Sequence, residues 1–148
     1  MSEPIVQDCS LIHTHIFDAP RRVLWNAWAN EEHITAWWGP NGFTSTCEKF
    51  EFRQEGVWSF ILHSPDGADY PNKNVFAEII SEEKIILDHS IGHDFRIIAT
   101  FEDLGNKSKL TWEMIFPTKE ECEQFKPFVI PANEQNIDRL EAYLNQIK

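Results

Sequence analysis

The sequence has little cysteine, little positive charge and no long apolar run. Its three cysteines, Cys9, Cys47 and Cys122, are far apart and odd in number. That spacing argues against a disulfide framework and for small buried thiols in a reducing cytoplasm. Lys and Arg total 13 against 24 Asp and Glu, and the net charge is −11. A balance of that sign repels nucleic acid, whose binding needs clustered cations to release counterions. It disfavours an anionic membrane surface likewise. No apolar run reaches the roughly 18 residues of a membrane span. Residues 1–8 lack the basic start and apolar run of a signal peptide. A nucleophile elbow, a phosphate-binding glycine loop and a metal-ligand cluster are also missing, so no metal or cofactor is expected.

What is present fits one soluble domain. The 148 residues are 42% apolar and 25% charged, enough to bury roughly two-thirds of the unfolded surface. Residues 10–17 alternate as a strand that starts at Cys9, with Leu11, His13, His15 and Phe17 on one face. Asp18 reads as the cap of a short helix with Pro20 in its first turn. Asn30 caps a second helix, which Gly39-Pro40 ends. Four of the six tryptophans, Trp25, Trp28, Trp37 and Trp38, fall in this helix pair.

From Thr44 the period changes to two. Trp58, Phe60 and Leu62 share a strand face before the turn at Ser64-Pro65-Asp66-Gly67. Further runs carry Val75 and Ile79, then Ile85, Leu87 and His89, then Phe95, Ile97 and Phe101, then Leu110, Trp112, Met114 and Phe116. Consecutive short strands with one apolar face predict an antiparallel meander. Thr118 and Glu121 open a further helix. Pro127 is expected to interrupt it and Pro131 to restart it. Ile137, Leu140, Leu144 and Ile147 then follow at helical spacing. The fold class is α+β: a curved antiparallel sheet of six to seven strands on one long C-terminal helix, with two short helices after the first strand.

One amphipathic helix cannot cover so wide an apolar sheet. The two short helices, the stretch from Phe125 to Pro131, or a guest molecule must fill the gap.

Phe17-Asp18-Ala19-Pro20, Trp37-Trp38-Gly39-Pro40, Gly56-Val57-Trp58-Ser59-Phe60, His63-Ser64-Pro65-Asp66-Gly67, Trp112-Glu113-Met114 and Ile137-Asp138-Arg139-Leu140 occur in that order. Together they resemble the START-like (SRPBCC, birch-pollen-allergen-like) superfamily. Within it they resemble the branch named for the activator of the heat shock protein 90 ATPase, in its C-terminal domain. The resemblance covers nearly the whole chain. It implies a helix-grip fold with a pocket for apolar or amphipathic molecules between sheet and terminal helix. There are two departures. His13 stands where relatives often carry an aliphatic residue, and Ala132-Asn133 where they often carry Gly-Trp.

His13 and His15 share a strand face, but nothing nearby completes a zinc site. His89 is the best polar candidate inside the cavity, able to orient a ligand or to act as acid or base. Glu78 and Asp88 read as solvated. The leading expectation is non-catalytic binding of a small apolar or amphipathic molecule. Its contacts would be Trp58, Phe60, Leu87, His89, Phe95, Ile97, Trp112, Met114 and Ile137, with Phe125, Phe128 and Ile130 as an irregular gate. On that expectation, Trp112→Ala or Phe60→Ala weakens binding more than it disturbs the fold. The second reading is an enzyme of the same fold with His89 as acid or base. The third is a co-chaperone-like module with a chaperone partner. A homodimer is a further option if Trp25 or Trp37 is exposed.

Overall fold

A computed structural model describes residues 5–7, 10–90 and 94–147. Cys9 lies outside the described residues. The strands are β1 (Ile5–Gln7), β2 (Ser10–Phe17), β3 (Thr44–Phe50), β4 (Val57–His63), β5 (Asp69–Ile80), β6 (Lys84–His89), β7 (Phe95–Leu104) and β8 (Lys107–Ile115). The helices are α1 (Arg21–Ala29), α2 (Glu31–Trp37) and α3 (Lys119–Ile147). The strands form one antiparallel sheet in the order β1-β2-β8-β7-β6-β5-β4-β3. The expected architecture is present, with the short β1 as an eighth strand. The meander from β3 to β8 follows from the tight turns between runs, of which Gly67 (φ +90°) and Gly105 (φ +82°) take the left-handed conformation.

Helix starts differ in how they are made. Asn30 Oδ1 accepts from the N–H groups of Glu32 (2.9 Å) and His33 (3.4 Å), as its sequence position predicts. Thr118 Oγ1 accepts from Glu121 N at 3.1 Å and opens α3. Pro20, not Asp18, holds the capping position of α1, and no side chain caps it. The Pro20 carbonyl instead takes the first helical bonds, from Val23 and Leu24.

The expected break at Pro127 and Pro131 is absent, for α3 runs through both as one helix of 29 residues. Each proline removes one helix hydrogen bond and crowds the preceding turn. Burial outweighs that cost. Cys122, Ile137, Leu140 and Leu144 are at most 2% exposed, and Phe125, Val129 and Ile130 pack against the same core. Phe128 points the other way and is 73% exposed. The stretch is therefore a helical turn with one ring in solvent, not an irregular gate.

Tryptophans fill the space between sheet and α3. Trp38 stacks on Trp112 (5.3 Å, 16°), Trp28 meets Trp37 and Trp112 edge-on, and Trp38 meets Trp58. Trp25 and Trp37 are 7% and 1% exposed, so neither supplies the exposed patch that the homodimer option required. Three polar anchors from α3 hold the Trp37-Trp38-Gly39-Pro40 segment. Arg139 Nη1 donates to the carbonyls of Gly39 (2.8 Å) and Pro40 (3.0 Å), Asn136 Oδ1 accepts from Gly39 N, and Gln135 Oε1 accepts from Asn41 N. The loop after α2 is thus tied to the terminal helix, which fixes Trp38 in the core.

Candidate functional site

The inner face of the sheet runs from packed core to an open end. Register places Phe76, Leu87, Ile97, Met114 and Leu11 in one row across it. One row further out stand Asn74, His89 and Phe95, at the ends of β6 and β7. A solvent-open pocket of about 540 Å³ lies at this end of the sheet; its lining joins His89, Phe95 and Phe116 of the inner face to Asp88, Arg96 and Ile115, which register with one another on the opposite face, and to Ser90, Asp94 and Pro117.

Its apolar wall is built by three elements. Phe95 opens β7 and stacks on the His89 ring at 4.3 Å and 9°. Phe116 follows β8 and stacks on Phe125 of α3 at 6.1 Å. Ile115 and Pro117 flank it. The polar side is equally defined. His89 Nε2 donates to Asn72 Oδ1 at 2.9 Å. Arg96 grips Asp88 through both carboxylate oxygens, at 2.7 and 2.9 Å. Those bonds hold the Arg96 guanidinium above its ordinary pKa. The pocket thus offers aromatic faces, one imidazole and a fixed ion pair.

Of the residues singled out in the sequence, His89 and Phe95 line this pocket. Trp58, Phe60, Leu87, Ile97, Trp112 and Ile137 lie in the packed interior, all at most 4% exposed, with Met114 at 7%. Phe128 stands in solvent on the outer side of α3. Asp88 is solvated on the opposite face, as expected, and borders the pocket with its partner Arg96. Ile115, Phe116 and Pro117 were not singled out, although Phe116 continues the Trp112–Met114 face one step beyond the strand.

The two histidines of β2 go to different surroundings. His15 Nε2 pairs with Glu141 of α3 at 2.8 Å. His13 has no exposed surface; its ring nitrogens make no hydrogen bond of good geometry, and the Ile130 carbonyl of α3 is the backbone acceptor that acts on the ring. Burial pushes its pKa below the ordinary 6.5, while Glu134 and the Ile130 carbonyl pull less strongly the other way. Below pH 6.5 the unfolded chain therefore binds a proton that the folded chain resists. Stability should fall as pH drops below that value, by at most about 1.4 kcal/mol per pH unit from this group. Urea titrations from pH 7 to pH 5 check this: His13→Leu should show a shallower fall than wild type, and parallel curves would contradict it.

A third cluster escaped the sequence reading. Across the outer face of β3, β4 and β5, His63 Nδ1 donates to Asp69 Oδ1 (2.7 Å) and its Nε2 accepts from the Thr46 hydroxyl (2.7 Å). The order matches a nucleophile relay. Thr46 and Asp69 are solvent-exposed, so water competes for every group in it. It reads as a cross-strand clamp.

None of the curated proteins matches this chain. Solved structures do. A protein of Arthrobacter aurescens superposes with a TM-score of 0.92 at 19% identity, over 97% of this chain and 91% of that one. A Mycobacterium smegmatis protein gives 0.89 at 17% identity, over 99% of each chain. A Nitrosomonas europaea protein gives 0.88 at 18% identity, over 98% of this chain and 99% of that one. At such identities the likeness is one of fold. The family model for activator of Hsp90 ATPase homolog 1-like protein matches residues 18–145, from the segment before α1 to near the end of α3. The chain belongs to the activator of Hsp90 ATPase homolog 1-like family, whose START-like helix-grip architecture it carries.

Proposed function

We propose that the protein binds a small apolar or amphipathic molecule, without catalysis, at the mouth formed by the ends of β6, β7 and β8 and the start of α3. The observation that carries this reading is the pocket of about 540 Å³ whose apolar lining comes from Phe95 and Phe116 on the inner face and Ile115 on the opposite one. Its size falls within the usual range for small-molecule sites, and such sites join an apolar wall to a few placed polar groups. His89 supplies the polar contact, already oriented by Asn72. Trp58, in register with Asn74 and through it with His89, continues the same row into the core. The pocket favours this reading over a co-chaperone module, which rests on the family name alone.

A fluorescence titration with the neutral dye N-phenylnaphthylamine tests it. Phe95→Ser removes a ring from the wall, and Ile115→Lys places a charge there. Each should weaken the dye about 5–10-fold, the equivalent of 1–1.4 kcal/mol of lost apolar contact. Unchanged affinity in both folded variants would remove the proposal.

A further inference from the structure

A second depression lies between α2 and the last turns of α3, about 30 Å along the helix axis from Lys119, where α3 begins. Its volume is about 290 Å³, and Ala36, Arg139, Ala142, Tyr143 and Gln146 line it. Arg139, Tyr143 and Gln146 are spaced i, i+4 and i+7, so one helix face presents all three. Ala36 and Ala142 are exposed and small enough to leave the space open.

Arg139 uses part of its guanidinium to hold the loop after α2. Nη1 donates to the carbonyls of Gly39 and Pro40, at 2.8 and 3.0 Å. Among the described residues nothing pairs with Nε or Nη2, and both reach solvent. Burial pushes the guanidinium below its ordinary pKa, and no acidic group pulls it back. The chain has 24 acidic residues to 13 basic ones. This half-buried cation nevertheless has no carboxylate partner among the described residues.

The free edge has the right chemistry for one. Arg96 uses the same two atoms, Nε and Nη2, to grip both oxygens of Asp88 at 2.7 and 2.9 Å. That fork matches the planar oxygen pair of a carboxylate. Burial, and then the charge of Glu32, push Tyr143 above its ordinary pKa, so it is a neutral phenol. Its hydroxyl is paired with Nδ1 of His33. With the ring proton on Nδ1, the hydroxyl keeps its own proton for a guest. The methyl groups of Ala36 and Ala142 and the Tyr143 ring supply an apolar floor.

We propose that this depression binds a small monocarboxylic acid, its carboxylate on the Nε–Nη2 edge of Arg139 and its body over Ala36 and Ala142. Size and charge limit the guest. The volume sits at the lower end of small-molecule sites. Glu32 acts on Tyr143 and the chain carries −11, so a second negative charge is repelled. The site is separate from the mouth and does not depend on it.

The test titrates sodium benzoate into wild type at constant ionic strength, following alanine methyl and arginine Nε–H resonances. Ala36, Ala142 and Arg139 should shift. Benzamide, the uncharged analogue, and inorganic phosphate should each bind at least about tenfold more weakly. Arg139→Lys keeps the charge but loses the fork, and should weaken benzoate about tenfold. Ala142→Leu fills the depression and leaves the bonds to Gly39 and Pro40 in place. It should weaken benzoate equally, and it carries the test if Arg139→Lys fails to fold. Equal binding of benzamide or phosphate, or unchanged affinity in Ala142→Leu, would overturn the proposal. So would an absence of shifts, or shifts confined to residues 88–90 and 94–96, which would assign benzoate to the mouth.

Discussion

Replacing Trp112 by alanine is expected to cost about 3–5 kcal/mol and to lower the Tm by roughly 10–15 °C. The ring is 1% exposed, stacks on Trp38 and is met edge-on by Trp28. Each of those rings touches another aromatic, so the hole cannot close by shifting one side chain. Aromatic pairs add about 0.5–1.5 kcal/mol beyond the area they bury. The expectation drawn from sequence is that Trp112→Ala weakens binding more than it disturbs the fold; burial at 1% makes the fold the larger loss. A thermal melt checks it: a shift under about 3 °C would mean that the ring lines open space. Phe60, at 2% exposure, should behave as Trp112 does. Phe95→Ser, at the rim, should cost far less.

The second large effect is expected at Gly56. A methyl group added there would lie 2.1 Å from the Glu51 carbonyl oxygen and 2.9 Å from that of Arg53. Both obstacles are backbone, and neither can rotate away. The loop is already fixed: Gly56 N donates to the Arg53 carbonyl, Glu51 N to the Val57 carbonyl, and Glu51 Oε1 accepts from Val57 N. Gly56→Ala must break that turn or displace β4, at about 2–4 kcal/mol. Chemical denaturation reads the loss directly, and wild-type stability in this variant would contradict the geometry. Gly67→Ala is the contrast. Its added carbon meets no atom within 4 Å, so only the left-handed backbone, about 1–2 kcal/mol, opposes it.

The order of elements was legible because each rests on a local signal. Period-two alternation marked the strands from β2 to β8, and Asn30 and Thr118 marked helix starts through their own oxygens. Other features depend on distant partners. The prolines of α3 signal a break locally, and only the core beneath Ile130 and Ile137 overrides it. Pro20 hides the start of α1, because it brings no capping oxygen. Alternation assigns a face but not a depth. Phe95 and Ile97 share one face of β7, yet Ile97 is 4% exposed in the core while Phe95 lines the mouth. The same limit separates His13 from His15, which differ in what α3 places above them.

The most direct test of the mouth is a chemical-shift map. Backbone amide and side-chain methyl spectra would be followed as N-phenylnaphthylamine is added to wild type. The account predicts that the largest shifts fall at residues 88–90, 94–96 and 115–117, with Ile115 foremost among the methyl groups. Shifts centred on another face of the sheet, or none at saturating dye, would contradict it.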